Sequence, residues 1–222
     1  MRGFVDTNWT KSNAIGGAMN IRKILDFPAV YSFFRKFVGN DKVRQRYADQ
    51  FIRAEKGSKV LDIGCGTGDI LGFLPEVDYI GFDLSADYIE TAKKRFAGRG
   101  RFFCESVGSG VNVPDSSFDI VIAHGVLHHL DDQEAKSLFS IAHRALKPGG
   151  RLVTFDGCFT EDQSVYSRFF VSRDRGQFVR TRPAYEALAR SEFQNVRVTV
   201  RHDLIRLPYT HIIMECQKHG GR

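Results

Sequence analysis

Apolar and polar positions along the chain predict short strands that alternate with helices. The predicted strands are 59–63, 79–83, 101–105, 118–123, 151–156, 196–200 and 210–216. Strands that alternate with helices form a parallel sheet covered on both faces. No helix separates the last two strands, so the last one is expected to run antiparallel. The pattern therefore predicts an α/β fold with a mostly parallel seven-stranded sheet flanked by helices.

Apolar residues at helical spacing predict helices in the segments between the strands. These helices are 69–74, 86–96, 131–146, 165–171 and 183–189. Asp131 is followed three residues later by Glu134, which is the pattern of a capping box at a helix start. The same helix is expected to run through Leu146 and to end at Lys147, Pro148 and the following glycines.

The segment before the first strand has a different pattern. Residues 1–20 are rich in Gly, Asn, Ser and Thr and lack a convincing period, so we expect a loose arm over 1–27. Residues 28–58 carry two stretches of helical spacing. The whole chain, 1–222, is predicted to be one domain. Its core is 59–156, and 157–222 contain an insert, 157–182, and the C-terminal strands.

Composition places the chain among ordinary globular proteins. Of 222 residues, 42% are hydrophobic and 26% are charged, which fits one domain with its own core. We find no apolar run of membrane-spanning length, no secretory signal and no metal-ligand set, and the four cysteines form no CxxC pair. We therefore expect a soluble, cytoplasmic protein without a metal or a membrane partner. The net charge of +6 comes from scattered residues. A solvated surface is its simplest explanation, and an anion-binding face is the alternative.

A glycine-rich turn follows the first strand. It reads Asp62-Ile63-Gly64-Cys65-Gly66-Thr67-Gly68, and Asp83 ends the next strand. Glycines let the backbone approach a ligand closely, and an acidic residue about twenty positions after the turn can accept both hydroxyls of a ribose. In an open α/β sheet this turn lies where ligands bind. The pattern indicates an adenosine-containing ligand.

Two carboxylates distinguish between adenosine-containing cofactors. A dinucleotide site would need a third glycine at position 69, where this chain has Asp69. Asp69 and Asp62 would repel a diphosphate, whereas they suit a ligand that carries sulfonium and ammonium groups. S-adenosylmethionine is therefore favoured over NAD.

Five stretches in register resemble the class I S-adenosylmethionine-dependent methyltransferases, in particular their small-molecule members. The stretches are 60–68, 80–85, 118–121, 127–130 and 146–152. The resemblance implies a Rossmann-like fold in which the cofactor contacts Asp62, Gly64, Cys65, Gly66, Asp83 and Leu84. Many relatives have Gly-Asp after the third strand, where this chain has Glu105-Ser106, so Ser106 and Val107 are the candidates for the adenine contact.

The resemblance also implies that a helix before the first strand folds over the cofactor. Tyr31 and Arg35 are four residues apart and share one helix face. Tyr31 is a candidate to cover the sulfonium, and Arg35 to pair with the methionine carboxylate, with Arg44 as the alternative cation. An ordinary packed surface helix is the competing interpretation.

Three histidines follow the fourth strand. His128 and His129 are adjacent and cannot share one face, so one is expected to pack while the other faces the cleft. A neutral imidazole there could accept a proton from a hydroxyl or an amine, and His129 is the candidate base. A structural role for the pair is the alternative. His124 is a candidate wall of the cofactor pocket.

The expected reaction is in-line transfer of the methyl group to a small, possibly anionic metabolite. Acceptor-side candidates come from the insert and the last loop: Tyr166, Arg168, Arg173, Asp174, Arg175, Tyr209 and His211. Surface ion pairs are the alternative explanation for the arginines. No nucleic-acid-binding motif is present, so a nucleic acid partner is not expected. The rival hypotheses are a non-catalytic binder of S-adenosylmethionine or S-adenosylhomocysteine, and an NAD-dependent oxidoreductase.

Overall fold

The computed structural model describes residues 41–105, 113–173, 176–205 and 207–220. Its strands are β1 (Lys59–Ile63), β2 (Asp78–Asp83), β3 (Gly100–Cys104), β4 (Phe118–His124), β5 (Leu146–Phe159), β6 (Arg180–Thr181), β7 (Asn195–Arg201) and β8 (His211–Gln217). Its α-helices are α1 (Asp41–Tyr47), α2 (Ala86–Arg95), α3 (Asp132–Ala145), α4 (Val165–Ser172) and α5 (Arg182–Arg190).

One sheet contains all of these strands, in the order β3-β2-β1-β4-β5-β8-β7, and β6 pairs with β5 beside this path. Strand β8 runs antiparallel to both β5 and β7, while the other neighbours are parallel. The predicted α/β fold, with seven main strands and an antiparallel last strand, is confirmed. Strand β6 was not predicted because two residues are too few to show an alternating pattern.

Apolar residues cover both faces of the sheet. Neighbouring residues of β1 point to opposite faces, so Val60 and Leu61 belong to different core clusters. Residues of α3 and α5 pack in the Leu61 cluster, and residues of α1 and α2 pack in the Val60 cluster. In this layered arrangement ligands bind at the carboxyl ends of the strands, at the point where the strand order reverses. Here the order reverses between β1 and β4, which lie side by side.

Helix α3 begins as predicted and ends earlier than predicted. The Asp131 side chain accepts from the Glu134 N–H, and the Glu134 side chain accepts from the Asp131 N–H, which completes the capping box. The prediction that Leu146 belongs to this helix is wrong, since Leu146 opens β5 and pairs with Phe118. Lys147 precedes Pro148, and the residue before a proline avoids the helical region. Strand β5 therefore starts five residues before the predicted position 151.

Two further segments differ from regular α-helix. The helix predicted after the glycine turn is a short 3₁₀ helix, Asp69–Phe73, because Gly72 weakens it and Pro75 follows it closely. Helix α1 continues into a π-helical turn, Ala48–Ile52, whose buried Phe51 and Ile52 join the core. The other helix predicted before β1, around residues 28–37, lies outside the described residues.

Candidate functional site

The glycine turn after β1 has the backbone that only glycine adopts easily. Gly64, Gly66 and Gly68 have φ angles of +74°, +54° and +71°. The N–H groups of Gly64 and Cys65 both donate to the Phe82 carbonyl, at 2.8 and 2.9 Å. The Gly68 N–H donates to the Cys65 carbonyl at 2.9 Å. These amides are therefore used inside the protein and are not presented to the oxygens of a diphosphate.

Asp83 connects the end of β2 to the glycine turn. Its Oδ2 accepts from the Gly66 N–H at 2.8 Å, and its Oδ1 accepts from the Ser85 N–H at 2.9 Å. Burial raises the pKa of this carboxyl, while backbone hydrogen bonds from Ser85, Gly66 and Leu84 act in the opposite direction. The carboxylate is thus held in one orientation at the edge where the ribose of an adenosine ligand is expected.

Asp62 lies at the same edge, one strand away, and is almost fully buried. Its Oδ2 accepts from the Tyr79 hydroxyl at 2.5 Å, and its Oδ1 has no hydrogen-bond partner among the described residues. Burial raises the pKa of this carboxyl to about 7, the Tyr79 hydrogen bond lowers it, and the nearby Asp83 raises it. A buried carboxylate with one unsatisfied oxygen is suited to a cationic group of a ligand.

The side chains of Cys65 and Leu84 have different surroundings. The Cys65 side chain packs against β2, since a Cβ on Gly81 would lie 2.7 Å from its sulfur. Burial raises the pKa of the Cys65 thiol well above its usual value. Cys65 can therefore contribute its backbone to a ligand site, while its thiol belongs to the core. Leu84 is half-buried directly after Asp83, where an apolar side chain can pack on a flat ring.

Helix α1 brings a cation to the glycine turn. The Arg44 guanidinium lies 3.8 Å from the Asp69 carboxylate, and Arg95 of α2 also pairs with Asp69. Arg44, the alternative cation of the sequence analysis, is therefore placed next to the turn. Tyr31 and Arg35 lie outside the described residues, as do Ser106 and Val107, so their expected contacts stay predictions.

A row of rings lines the carboxyl ends of β4 and β5. We define this ring row as Tyr47, His124, Phe155, His211 and Tyr209, in which consecutive centroids are 4.4 to 5.2 Å apart. Burial is the main reason that the pKa of His124 falls to about 4 and that of His211 to about 3. Both imidazoles are neutral at physiological pH. The sequence analysis missed Tyr47 and Phe155, which carried only the signal of apolar core positions.

At this edge of the sheet, His128 contacts the carboxylate of Asp156. Its Nδ1 lies 2.8 Å from Oδ1 of Asp156, and its backbone N–H donates to the same oxygen at 3.2 Å. The sequence analysis named the adjacent His129 as the candidate base, with a structural role for the pair as the alternative. The structure gives the contact with Asp156 to His128, and His129 is half-buried beside it. Asp156 was missed as a site residue; its signal was an acidic residue at the end of the predicted strand 151–156.

The insert arginines that the structure describes face neighbouring rings. Arg168 donates to the Thr160 carbonyl at 3.2 Å and lies over the Phe159 ring, at 6.0 Å. Arg173 lies 5.1 Å from the centroid of Phe169, a side chain that is 53% exposed. These contacts lie within the insert itself, and the expected contact of the arginines with an anionic acceptor stays a prediction. Asp174 and Arg175 lie outside the described residues.

Arg180, which was not singled out as a site residue, supports the turn that carries His128. Its guanidinium donates to the carbonyls of Leu127 at 2.9 Å and Leu130 at 2.6 Å. It also donates to the Phe178 carbonyl and to the Asp132 carboxylate. The side chain is buried and fully engaged, so Arg180 holds the 127–130 turn and does not offer a charge to an acceptor.

Comparison with known proteins agrees with this architecture. Residues 60–150 match the family model described as a methyltransferase domain. The chain is 34% identical over 145 residues to the ubiquinone/menaquinone biosynthesis C-methyltransferase UbiE of Desulfotalea psychrophila. The aligned residues make up 58% of each protein. It is 30% identical over 165 residues to a demethylmenaquinone methyltransferase of Staphylococcus epidermidis, covering 68% of this chain and 67% of that protein.

The structure is similar to that of phosphoethanolamine N-methyltransferase 2 of Haemonchus contortus in complex with S-adenosyl-L-methionine. The TM-score is 0.68 at 18% identity, over 91% of this chain and 61% of that one. This chain thus spans little more than half the length of the Desulfotalea and Haemonchus proteins.

The chain belongs to the class I S-adenosylmethionine-dependent methyltransferases. The residues of the site fit the family's cofactor, since the glycine turn uses its amides internally and Asp62 keeps one buried oxygen without a partner. This arrangement is suited to a ligand with cationic groups and unsuited to a diphosphate. None of the described helices is long and apolar enough to cross a membrane.

Proposed function

We propose that this protein transfers the methyl group of S-adenosylmethionine to a small-molecule acceptor. The observation that carries the proposal is the Asp83 carboxylate, held by the N–H groups of Gly66 and Ser85 at 2.8 and 2.9 Å beside the glycine turn. A carboxylate fixed at the end of the second strand is the group that recognises a ribose in this architecture.

The remaining cofactor contacts follow from the positions of the side chains. In our proposal Asp83 accepts from the ribose hydroxyls and the half-buried Leu84 packs on the adenine. The turn 64–66 lies along the methionine part, and the unpartnered oxygen of Asp62 accepts from its ammonium group. Arg44, already near the turn, is the candidate partner of the methionine carboxylate. Ser106 and Val107 stay the candidates for the adenine amino group.

When bound, S-adenosylmethionine supplies a methyl carbon on a sulfonium, to which the acceptor forms a bond while the carbon–sulfur bond breaks and neutral S-adenosylhomocysteine leaves. The protein contributes alignment of the acceptor and exclusion of water. The ring row packs beside this edge of the sheet, where Phe155, His211 and Tyr209 are buried and the imidazoles of His124 and His211 are neutral. The relatives' names, a ubiquinone/menaquinone biosynthesis C-methyltransferase and a phosphoethanolamine N-methyltransferase, support a small-molecule acceptor.

Calorimetry with S-adenosylhomocysteine tests the cofactor site. Asp83→Asn should weaken binding by about 1–3 kcal/mol, because one ribose hydroxyl loses an ionised acceptor. The matched control is Asp78→Asn at the opposite end of β2, where the half-exposed carboxylate pairs with Arg101. The control should leave the affinity unchanged.

The wild-type protein supplies a second measurement that does not depend on how a variant folds. The 2′-deoxy analogue of S-adenosylhomocysteine should bind more weakly than the parent compound, and NAD should not compete. Equal affinity for the two compounds would refute the role of Asp83. Binding of NAD in preference to S-adenosylhomocysteine would support the oxidoreductase, and cofactor binding without methyl transfer to any acceptor would support the non-catalytic binder.

A further inference from the structure

We propose that the outward face of helix α4 is an interface for a second copy of this chain, which packs there with its own α4 running antiparallel. This interface is a property of the protein surface and does not depend on the function proposed above.

Helix α4 has a buried side that fixes its orientation. Gln163, Ser167 and Val171 are spaced four residues apart, and all three are buried. The Ser167 hydroxyl lies 2.7 Å from the Thr210 hydroxyl, and the Gln163 amide donates to the same Thr210 oxygen at 3.3 Å. Thr210 directly precedes β8, which pairs with β5. The helix is therefore attached to the sheet on one side, and its opposite side faces water.

The side that faces water is apolar. Val165, Tyr166 and Phe169 are 80%, 72% and 53% exposed, and we define them as the α4 patch. They are the three exposed large hydrophobic side chains among the residues that the structure describes. Single exposed apolar side chains are ordinary, but a contiguous group on one helix face marks an interaction surface.

Charges of opposite sign lie at the two ends of the α4 patch. Glu161 and Asp162 precede the helix, and Arg173 directly follows its last residue. Arg173 lies 5.1 Å from the centroid of the Phe169 ring, and neither Arg173 nor Glu161 forms an ion pair within the described part of the chain. Asp162 lies 3.8 Å from His202, and both of these side chains are exposed to solvent. The patch thus has an acidic end and a basic end.

This charge distribution is complementary to itself when two helices run antiparallel. In a two-fold symmetric pair, Tyr166 can face Phe169 of the second copy, and the same register places Asp162 opposite Arg173 of the second copy. Each contact then occurs twice, as in any isologous interface. An apolar centre with charged groups at the rim is the usual composition of a protein interface. A parallel pair would instead bring like charges together, which disfavours association.

The same charges argue against an anionic membrane as the partner. Clusters of basic residues attract such a surface, whereas here Glu161 and Asp162 balance the two nearby arginines, Arg168 and Arg173. Arg168 is also occupied by the Thr160 carbonyl. A second copy supplies both signs at the correct ends. Because one short helix offers a smaller area than permanent dimers bury, the association should be reversible.

Sedimentation velocity at increasing protein concentration tests the interface. The wild type should change from monomer to dimer as its concentration rises. Arg173→Glu, Asp162→Arg and Phe169→Gln should each weaken dimerisation by at least about tenfold, since the first two place like charges opposite each other and the third removes the central ring. The matched control is Lys136→Glu on the exposed side of α3, which should dimerise as the wild type does. Thermal unfolding checks that each variant is folded.

A mixture of two variants provides the most specific measurement. Arg173→Glu and Asp162→Arg should each be monomeric alone, because each pairs like charges twice in its own dimer. In an equimolar mixture, the reversed charge of each chain meets its opposite on the other chain, so a mixed dimer should form with nearly wild-type affinity. Mixing does not rescue variants that have lost association by unfolding.

Three results would overturn the proposal. The first is a wild type that stays monomeric up to about 1 mM, where even weak specific association is detectable. The second is dimerisation that the single variants leave unchanged, or a mixture that dimerises no better than its components. The third is binding of monomeric wild type to phosphatidylglycerol vesicles that Phe169→Gln abolishes, which would assign the α4 patch to a lipid surface.

Discussion

The Tyr79 hydroxyl donates a hydrogen bond to the Asp62 carboxylate at 2.5 Å, inside the core below the glycine turn. The partners lie on neighbouring strands, and Asp62 is held where burial raises its pKa to about 7. In the unfolded chain this carboxyl ionises near its ordinary value of 3.8. Ionisation of Asp62 therefore lowers the free energy of unfolding as the pH rises above 4, and this loss is complete above pH 7.

Tyr79→Phe should destabilise the protein more at pH 8.5 than at pH 5. At pH 8.5 the folded Asp62 is ionised, and a hydrogen bond to an ionised carboxylate is worth about 1.5–3 kcal/mol. At pH 5 the folded Asp62 is mostly protonated, so the same hydrogen bond contributes less. Urea unfolding at both pH values measures the difference, with the exposed Tyr166→Phe as the matched control. Equal losses at the two pH values would contradict this account of Asp62.

Gly64→Ala should weaken binding of S-adenosylhomocysteine by at least about tenfold. Gly64 has a φ angle of +74°, and a Cβ there would lie 2.5 Å from Cγ2 of Val126. Either the turn or the segment after β4 must shift to relieve that collision, and both border the proposed ligand.

The matched control for this change is Gly57→Ala. Gly57 has a φ angle of +83°, but a Cβ there would meet nothing within 4 Å. Both variants carry the strain of a left-handed alanine, which is of order 1–2 kcal/mol, but the control should retain wild-type affinity in calorimetry. Equal weakening in both variants would show that the contact with Val126 is irrelevant to binding.

His211→Phe should make the protein less sensitive to acid. His211 is 1% exposed and its pKa is lowered to about 3, so the unfolded chain takes up a proton below pH 6.5 that the folded protein excludes. Stability is therefore lost as the pH falls from 6.5 towards 3, at about 1.4 kcal/mol per pH unit.

Phenylalanine at position 211 removes that proton uptake and keeps the contacts with Phe155 and Tyr209. The free energy of unfolding, measured from pH 6 to pH 4, should fall less steeply in the variant than in the wild type. His124 and Asp62 titrate in both proteins, so the difference in slope isolates His211. Parallel curves would indicate that His211 is protonated in the folded state.

Arg180→Lys should destabilise the protein by about 2–4 kcal/mol. A lysine cannot reproduce the fork that serves the Leu127 and Leu130 carbonyls together with Asp132, so buried acceptors lose their donors. Arg182→Lys is the matched control, because Arg182 is half-exposed and lies 3.9 Å from Glu186 on the same helix. A loss of less than about 0.5 kcal/mol in Arg180→Lys, as for the control, would contradict the proposed support of the turn.

The sequence by itself determined the order of strands and helices, the glycine turn and the positions of Asp62 and Asp83 at strand ends. These features are local: a strand repeats every two residues, a helix every 3.6, and a capping box such as Asp131 and Glu134 lies within one turn. For the same reason the ends of helices and strands were predicted less well than their order. The start of β5 at Leu146, for example, depends on pairing with Phe118 as well as on the residues of β5 itself.

Only the tertiary structure decided which side chains meet. His128 and Asp156 are separated by 28 residues, and the choice between His128 and His129 depends on how the backbone turns after β4. The contact between Tyr79 and Asp62, the ring row and the support from Arg180 likewise join separate elements. Local propensity carries no information about such pairs, because side-chain direction and burial are set by the packing of the whole sheet.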